Sequence, residues 1–199
     1  MNLMTSAPRP TVVRLDQIVE ATRILFVRHG YRRTSMDDIA REAGVAKATL
    51  YLHFSGKVAI FAMMLDRCQA EVESRVVAAE TSDAPLSQRL RALLYAYFGV
   101  ALEWFGDAEH LSELKAFVAA HPDHFTQGGP RPRARIQAML DRAEADGDTD
   151  FSGKGLSTAQ VANVLVHAAR GAKLGKAPTP ETFRRRINDA VSLALAGGC

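Results

Sequence analysis

Apolar residues recur at helical spacing from Leu15 to Ala196, and no stretch alternates for the length of a strand. That pattern predicts an all-α chain. Leu15, Ile18, Val19, Thr22, Leu25 and Phe26 form the stripe of a first helix, which His29 and Gly30 end. A second stripe, Met36, Ile39, Ala40 and Ala43, carries Asp37, Asp38, Arg41 and Glu42 on its other face. Ser35 precedes it, with Asp38 three residues on, the spacing of a capping box. Gly44 follows where a left-handed turn is cheapest without a β-carbon, and small Ala40 admits a close crossing. The third helix, 46–54, turns Val45, Leu50 and Phe54 inward. Lys47, Ala48, Thr49, Tyr51, Leu52 and His53 are left outward.

A fourth helix, 57–80, runs on through Val58, Phe61, Ala62, Leu65, Val72 and Val76, long enough to link a small N-terminal module to a larger body. After a breaker at 81–85, residues 86–106 are apolar nearly all round, as suits a central helix. Further helices are expected at 108–120, 132–146, 157–174 and 180–196. The last two carry start signals: Ser157 with Gln160, and Thr179 ahead of Pro180. The count is about nine, divided into an arm at 1–13, a three-helix module at 14–57 and a body at 58–199. The arm either touches DNA or is a plain disordered terminus.

Two short helices joined by a tight turn, the second with outward Lys, Tyr, Thr and small residues, make a helix-turn-helix reader of DNA. A solvated face has little use for an outward Tyr51 and Leu52. A groove reader spends Lys and Tyr on phosphates, and small or hydroxyl residues on bases. The expected DNA contacts are Ser35, Lys47, Ala48, Thr49, Tyr51, Leu52, His53 and Lys57. Tyr51, His53 and Lys57 would position the protein on phosphates. Lys47, Ala48, Thr49 and Leu52 would face bases.

The run IAREAGVAKATLYLHFSGK, from Ile39 to Lys57, resembles the N-terminal signature of the TetR family of bacterial transcriptional regulators. The resemblance is close over 15–65 and loose beyond. Two positions depart from it: Ala48, where the family often has Gly, and Ala46, where it often has Ser. Ala46 therefore offers no hydroxyl, and the methyl of Ala48 suits a thymine methyl. The resemblance implies a C-terminal helical domain that binds a ligand and dimerises, its final two helices pairing with a second subunit's as a four-helix bundle. Val161, Leu165, Ala169, Ile187, Val191 and Ala194 are the expected interface, with intrachain packing as the other reading. It also implies a body hollowed for a small apolar effector, for which Tyr95, Tyr97, Phe98, Leu102, Trp104, Phe105, Phe117 and Met139 are the candidate lining. The alternative is that this cluster is solid core.

Composition changes this picture little. Residues 1–57 hold nine Lys and Arg against five Asp and Glu, and 58–199 hold sixteen against seventeen. The basic excess thus falls on the segment with a polyanion to meet. One short recognition helix reads few base pairs, so a homodimer on a palindromic operator is expected. Cys68 and Cys199 are too few for a disulfide scaffold and fit a reducing cytoplasm. No apolar run approaches the roughly 18 residues of a membrane span, and residues 1–10 lack a signal peptide's apolar core.

No chemistry is expected. His121, Asp123 and His124 are close in sequence, but Pro122 and the Gly128-Gly129-Pro130 run place them in a loop with no fourth ligand nearby. There is no nucleophile elbow and no phosphate-cradling glycine loop. The Arg184-Arg185-Arg186 run reads as a solvated helix face. No metal, cofactor or membrane partner is expected. The resulting expectation is a cytoplasmic, homodimeric, effector-responsive regulator, a repressor in preference to an activator, with a ligand-independent or partner-controlled DNA-binding protein as the alternative.

Overall fold

The computed structural model describes residues 10–106, 108–121, 132–174 and 179–196. Residues 1–9 of the expected arm, His124 with its neighbours, and Cys199 lie outside the described residues. Among those described there are ten α-helices and no strand: α1 (Pro10–Arg33), α2 (Met36–Glu42), α3 (Lys47–His53), α4 (Lys57–Thr81), α5 (Leu86–Phe98), α6 (Val100–Phe105), α7 (Ala108–Ala120), α8 (Pro132–Ala145), α9 (Thr158–Gly171) and α10 (Pro180–Ala196). Residues 10–13, assigned to the arm from sequence, already belong to α1. Among the described residues, no single helix is long and apolar enough to cross a membrane.

Ten replace nine because the expected helix at 86–106 is two. Gly99 divides it. The ring of Tyr95 folds back over Gly99 so closely that a β-carbon there would sit 2.6 Å from Tyr95 Cε2. Past the break the chain tightens, the Leu102 N–H donating to Gly99 O at 2.8 Å. Similarly, α1 is interrupted at Gly30, with φ 74 and ψ 173, where the apolar stripe ends.

Three buried clusters hold the chain, and α1 and α4 serve more than one. Ile18 and Leu25 of α1 pack with Ile39, Ala40, Leu50, Phe54 and Ile60 to make the core of the reader. Val19 and Phe26, on the adjoining face of α1, join Phe61, Met64, Cys68, Val100, Phe105, Leu114 and Phe117 beneath it. The body core gathers α5, α8, α9 and α10 around Leu90, Leu93, Leu94, Ile136, Leu165 and Phe183. An interior packed this densely passes displacement from one side to the other without absorbing it.

Local chemistry fixes the late helices as expected. Ser157 Oγ accepts from Gln160 N–H at 3.2 Å, while Ser157 N–H donates to Gln160 Oε1 at 2.8 Å. Thr179 Oγ1 accepts from Thr182 N–H at 3.2 Å at the start of α10.

Candidate nucleic-acid interface

The reader is set by its two turns. Ser35 caps α2: its Oγ accepts from Asp38 N–H and its N–H donates to the Asp38 carboxylate, each at 3.2 Å. Hydrogen bonds from Ser35 hold that carboxyl below its usual range. Helix α2 ends with Gly44 at φ 65. There Val45 N–H donates to Ala40 O at 3.0 Å and Gly44 N–H to Arg41 O at 3.2 Å. These paired bonds define a Schellman turn, which satisfies carbonyls that a helix end leaves orphaned. Helix α3 opens on Ala46, extended at φ −66 and ψ 143, with no side-chain cap. The missing hydroxyl noted in the sequence thus leaves its mark at the N-terminus of α3.

Leu50 and Phe54 anchor α3 by burial. Its other face is bare. Leu52 is 81% exposed and Tyr51 50%. Lys47, Ala48 and His53 are exposed too, while Thr49 is half-buried. Burying the apolar surface of a Leu is worth about 1.5–3 kcal/mol, so an isolated chain gains nothing by displaying one this fully.

Three of the expected contacts have other duties. Lys47 Nζ lies 2.7 Å from Asp37 Oδ1, an exposed ion pair from α3 to α2 that raises the lysine's pKa. Lys57 is half-buried and donates to the carbonyls of Tyr31 and Thr34, both at 2.8 Å. Its ammonium also lies 4.1 Å from the centre of the Tyr31 ring. Burial pushes its pKa down, against the pull of Glu113. Expected as a phosphate contact, Lys57 is here a brace between α4 and the end of α1, from Tyr31 to Thr34. Ser35 likewise spends its hydroxyl on the cap.

The same end of α1 is held from the body. Tyr31 N–H and Arg32 N–H, just past the Gly30 break, donate to the Glu113 carboxylate of α7 at 3.0 and 2.9 Å. The Tyr31 ring packs on Phe61 and Phe117 at 4.5 and 4.6 Å.

Sequence reasoning missed one set of basic side chains. Arg28, His29, Arg33 and Arg41 line a cleft of about 390 Å³ beside α2, shared with Asp38 and Glu42. The sequence run from Arg28 to Arg33 was the signal, and it had entered only as net charge.

The expected effector lining does not converge. Tyr95, Tyr97, Phe98, Leu102 and Met139 pack with the body core. Trp104, Phe105 and Phe117 belong to the cluster beneath α1. Of this set Tyr95 alone, among the described clefts, borders open volume, between α4, α5 and α10.

The expected dimer face is corrected as well. Val161, Leu165, Ala169, Ile187 and Val191 are buried within the monomer, and Ala194 packs against the same core. They are the intrachain faces of α9 and α10, selected because the apolar stripe of an amphipathic helix marks whatever it buries deepest. The faces left bare carry Val164, 61% exposed, and Leu193, 76% exposed. Ala168 and Gly171 follow Val164 at helical spacing.

Likeness to known proteins falls first on the reader. The model for bacterial regulatory proteins of the tetR family matches residues 18–64. Over 89 residues the chain is 38% identical to the HTH-type transcriptional activator FasR of Mycolicibacterium smegmatis, covering 45% of this chain and 41% of that protein. Over 53 residues it is 38% identical to the biofilm operon icaADBC HTH-type negative transcriptional regulator IcaR of Staphylococcus aureus, covering 27% and 28%. The match spans about two fifths of the activator's length and less of the negative regulator's. A TetR transcription regulator from Haloarcula marismortui superposes with a TM-score of 0.67 over 94% of this chain and 98% of that one, at 19% identity, a likeness of fold. Residues 18–64 thus match the tetR family of bacterial regulatory proteins, and the whole chain shares the fold of a TetR transcription regulator.

Proposed function

We propose that this chain works in the cytoplasm as a homodimeric DNA-binding regulator of transcription, each α3 entering a major groove at one half of a palindromic operator. The observation that carries this reading is the bare outward face of α3, with Leu52 81% and Tyr51 50% exposed on a helix whose other side is fully anchored. Tyr51 and His53 position α3 on phosphates, and the Arg28, Arg33 and Arg41 cleft adds a second set of backbone contacts. Lys47, freed from Asp37, together with Ala48, Thr49 and Leu52 faces base edges. The partner subunit docks on the bare faces of α9 and α10, through Val164, Ala168, Gly171 and Leu193.

The regulator is a repressor, since occupancy of a promoter excludes polymerase with no further contact. The readers it resembles include an activator and a negative regulator, so the sign of regulation resides outside the reader. A small apolar effector releases it from DNA through α4 and α7, which both grip the end of α1 at 31–34. Selection of bound fragments from the source genome, then mobility shift with a Tyr51→Ala, Leu52→Ala double variant, tests this reading. A palindromic fragment bound by the native chain and lost by the variant is expected. No enrichment, or equal binding by the variant, overturns it.

A further inference from the structure

Two clefts on the body meet at Tyr95 and Ala92. One, of about 440 Å³, lies between α4 and α5 and is lined by Arg75, Ala78, Ala79, Ser82, Arg89 and Ala92, among others. The other, of about 250 Å³, lies between α5 and α10 and is lined by Arg91, Arg184, Ile187 and Asn188 together with Ala92 and Tyr95. They adjoin at these two residues, and together they make a two-armed groove across α4, α5 and α10. Its floor is methyl groups, the Ile187 side chain and the Tyr95 ring. Its rim carries four arginines.

The charges do not balance. Glu103 accepts from Tyr95 OH and Arg184, each at 2.8 Å, and pairs with Arg75 at 2.8 Å. Glu71 also pairs with Arg75 and accepts from Trp104 Nε1 at 2.7 Å. Two carboxylates, with Glu181 a turn away from Arg184 on α10, thus face four guanidinium groups. Arg89 spends its donors on the carbonyls that end α4, Ala79 O and Glu80 O. Arg91 is the exception: one nitrogen reaches Ser192 Oγ at 3.1 Å, while its Nε–H is buried with no acceptor among the described residues. A buried donor without an acceptor is costly, and an incoming anion supplies one. The groove also stays open in the proposed dimer. Leu193 follows Arg184 by nine positions, half a turn round α10 at 3.6 residues per turn.

We propose that this groove binds an amphipathic carboxylate, its apolar part on Ala78, Ala79 and Ala92 and its carboxylate in the arm lined by Arg91, Arg184 and Asn188. Arg184 lies over the Tyr95 ring at 4.4 Å. A carboxylate that draws Arg184 from Glu103 therefore disturbs Arg75 and Glu71, and with them the indole of Trp104. Since Arg75 and Glu71 lie on α4, the helix that enters the reader, occupancy reports toward DNA. That last step rests on the regulatory reading above, whereas binding itself does not.

The test uses the full chain with decanoate, and decanol as its uncharged counterpart of equal length, both below micelle formation. Calorimetry and the emission of Trp104, the chain's single tryptophan, are read together. Saturable binding of decanoate is expected, at least ten times tighter than decanol, with a matching change in emission. Arg91→Gln should weaken decanoate at least tenfold. Ala92→Glu, which places a carboxylate on an exposed part of the floor, should do the same through repulsion, and both variants should melt as the native chain does. Equal affinity for decanol and decanoate, or undiminished decanoate binding in both variants, overturns the proposal. Operator binding is measured separately, so a chain that takes decanoate yet selects no DNA defeats the regulatory reading and leaves the groove assigned.

Discussion

Lys57 holds Tyr31 twice, by a 2.8 Å hydrogen bond to its carbonyl and by an ammonium 4.1 Å from the centre of its ring. A third grip reaches the Thr34 carbonyl, also at 2.8 Å. These contacts span the start of α4 and the loop that delivers α2, so Lys57 sets the angle between the link and the reader. Charge-assisted bonds are worth about 1.5–3 kcal/mol each when buried, and less at half exposure. Lys57→Met should therefore cost about 2 kcal/mol, a fall in Tm of roughly 4–8 °C for a chain of this size. Affinity for operator and for random DNA should drop together. A variant that melts normally and merely lowers the salt slope by about one unit would make Lys57 a phosphate contact and no brace.

The outward face of α3 separates folding from reading. Leu52 and Tyr51 are exposed, so Leu52→Ala and Tyr51→Ala should leave stability within about 0.5 kcal/mol of native. On the operator, Leu52→Ala should cost about 1–3 kcal/mol at particular positions, as loss of a base contact does. Tyr51→Ala should weaken all sequences alike. Melting curves alongside binding to a set of single-base operator variants would decide this. A uniform loss for Leu52→Ala would remove it from the bases.

How much of this was legible depended on how local the cause was. Ser35 with Asp38, Gly44 after α2 and Ser157 with Gln160 act within a few residues, and each does in the structure what its spacing predicts. Gly99 was passed over because its effect depends on the Tyr95 ring folding back, which no apolar pattern records. Lys57 stands beside the recognition helix in sequence, yet the carbonyls that accept its hydrogen bonds, those of Tyr31 and Thr34, lie more than twenty residues earlier. The aromatic set is divided for a related reason: composition lists Trp104 and Phe117 with Tyr97 and Phe98, but packing sends them to different cores. On α9 and α10 the stripe was read correctly and its partner was not, because periodicity tells which face is buried and not against what.

That distinction gives a paired prediction for assembly. Val164→Asp and Leu193→Asp alter side chains exposed in the monomer, so each should remain folded while a homodimer dissociates. Leu165→Asp instead places a charge at a site with no exposure, a cost of several kcal/mol that should unfold the chain. Sedimentation and circular dichroism on the three variants would check this. If Val164→Asp and Leu193→Asp both stay dimeric, the partner docks elsewhere. A folded, dissociated Leu165→Asp would restore the interface first expected from sequence.

Cys68 supplies a test of the junction core by pH. It is buried beside Phe61 and Met64, and burial, with a smaller contribution from Glu71, pushes its thiol up to about 12 from an ordinary 9.0. At pH 8.5 the native thiol is neutral and enclosed, so peptide-resolved labelling with iodoacetamide should spare Cys68 until the chain is unfolded. The linkage has a definite sign. The folded state keeps its proton to higher pH than the unfolded state, so the thiol costs no stability below pH 9 and progressively more as pH rises toward 12. The slope approaches about 1.4 kcal/mol per pH unit, or roughly 2 kcal/mol lost by pH 10.5. Cys68→Ala removes this term while leaving the titration of Tyr31, Tyr95 and Tyr97 in place. Urea melts of both proteins at pH 8 and pH 10.5 should therefore show the native chain losing more stability than the variant. Equal losses, or rapid labelling of Cys68 in the folded protein, would mean that the cluster beneath α1 opens to water and cannot transmit a push from α7 to the reader.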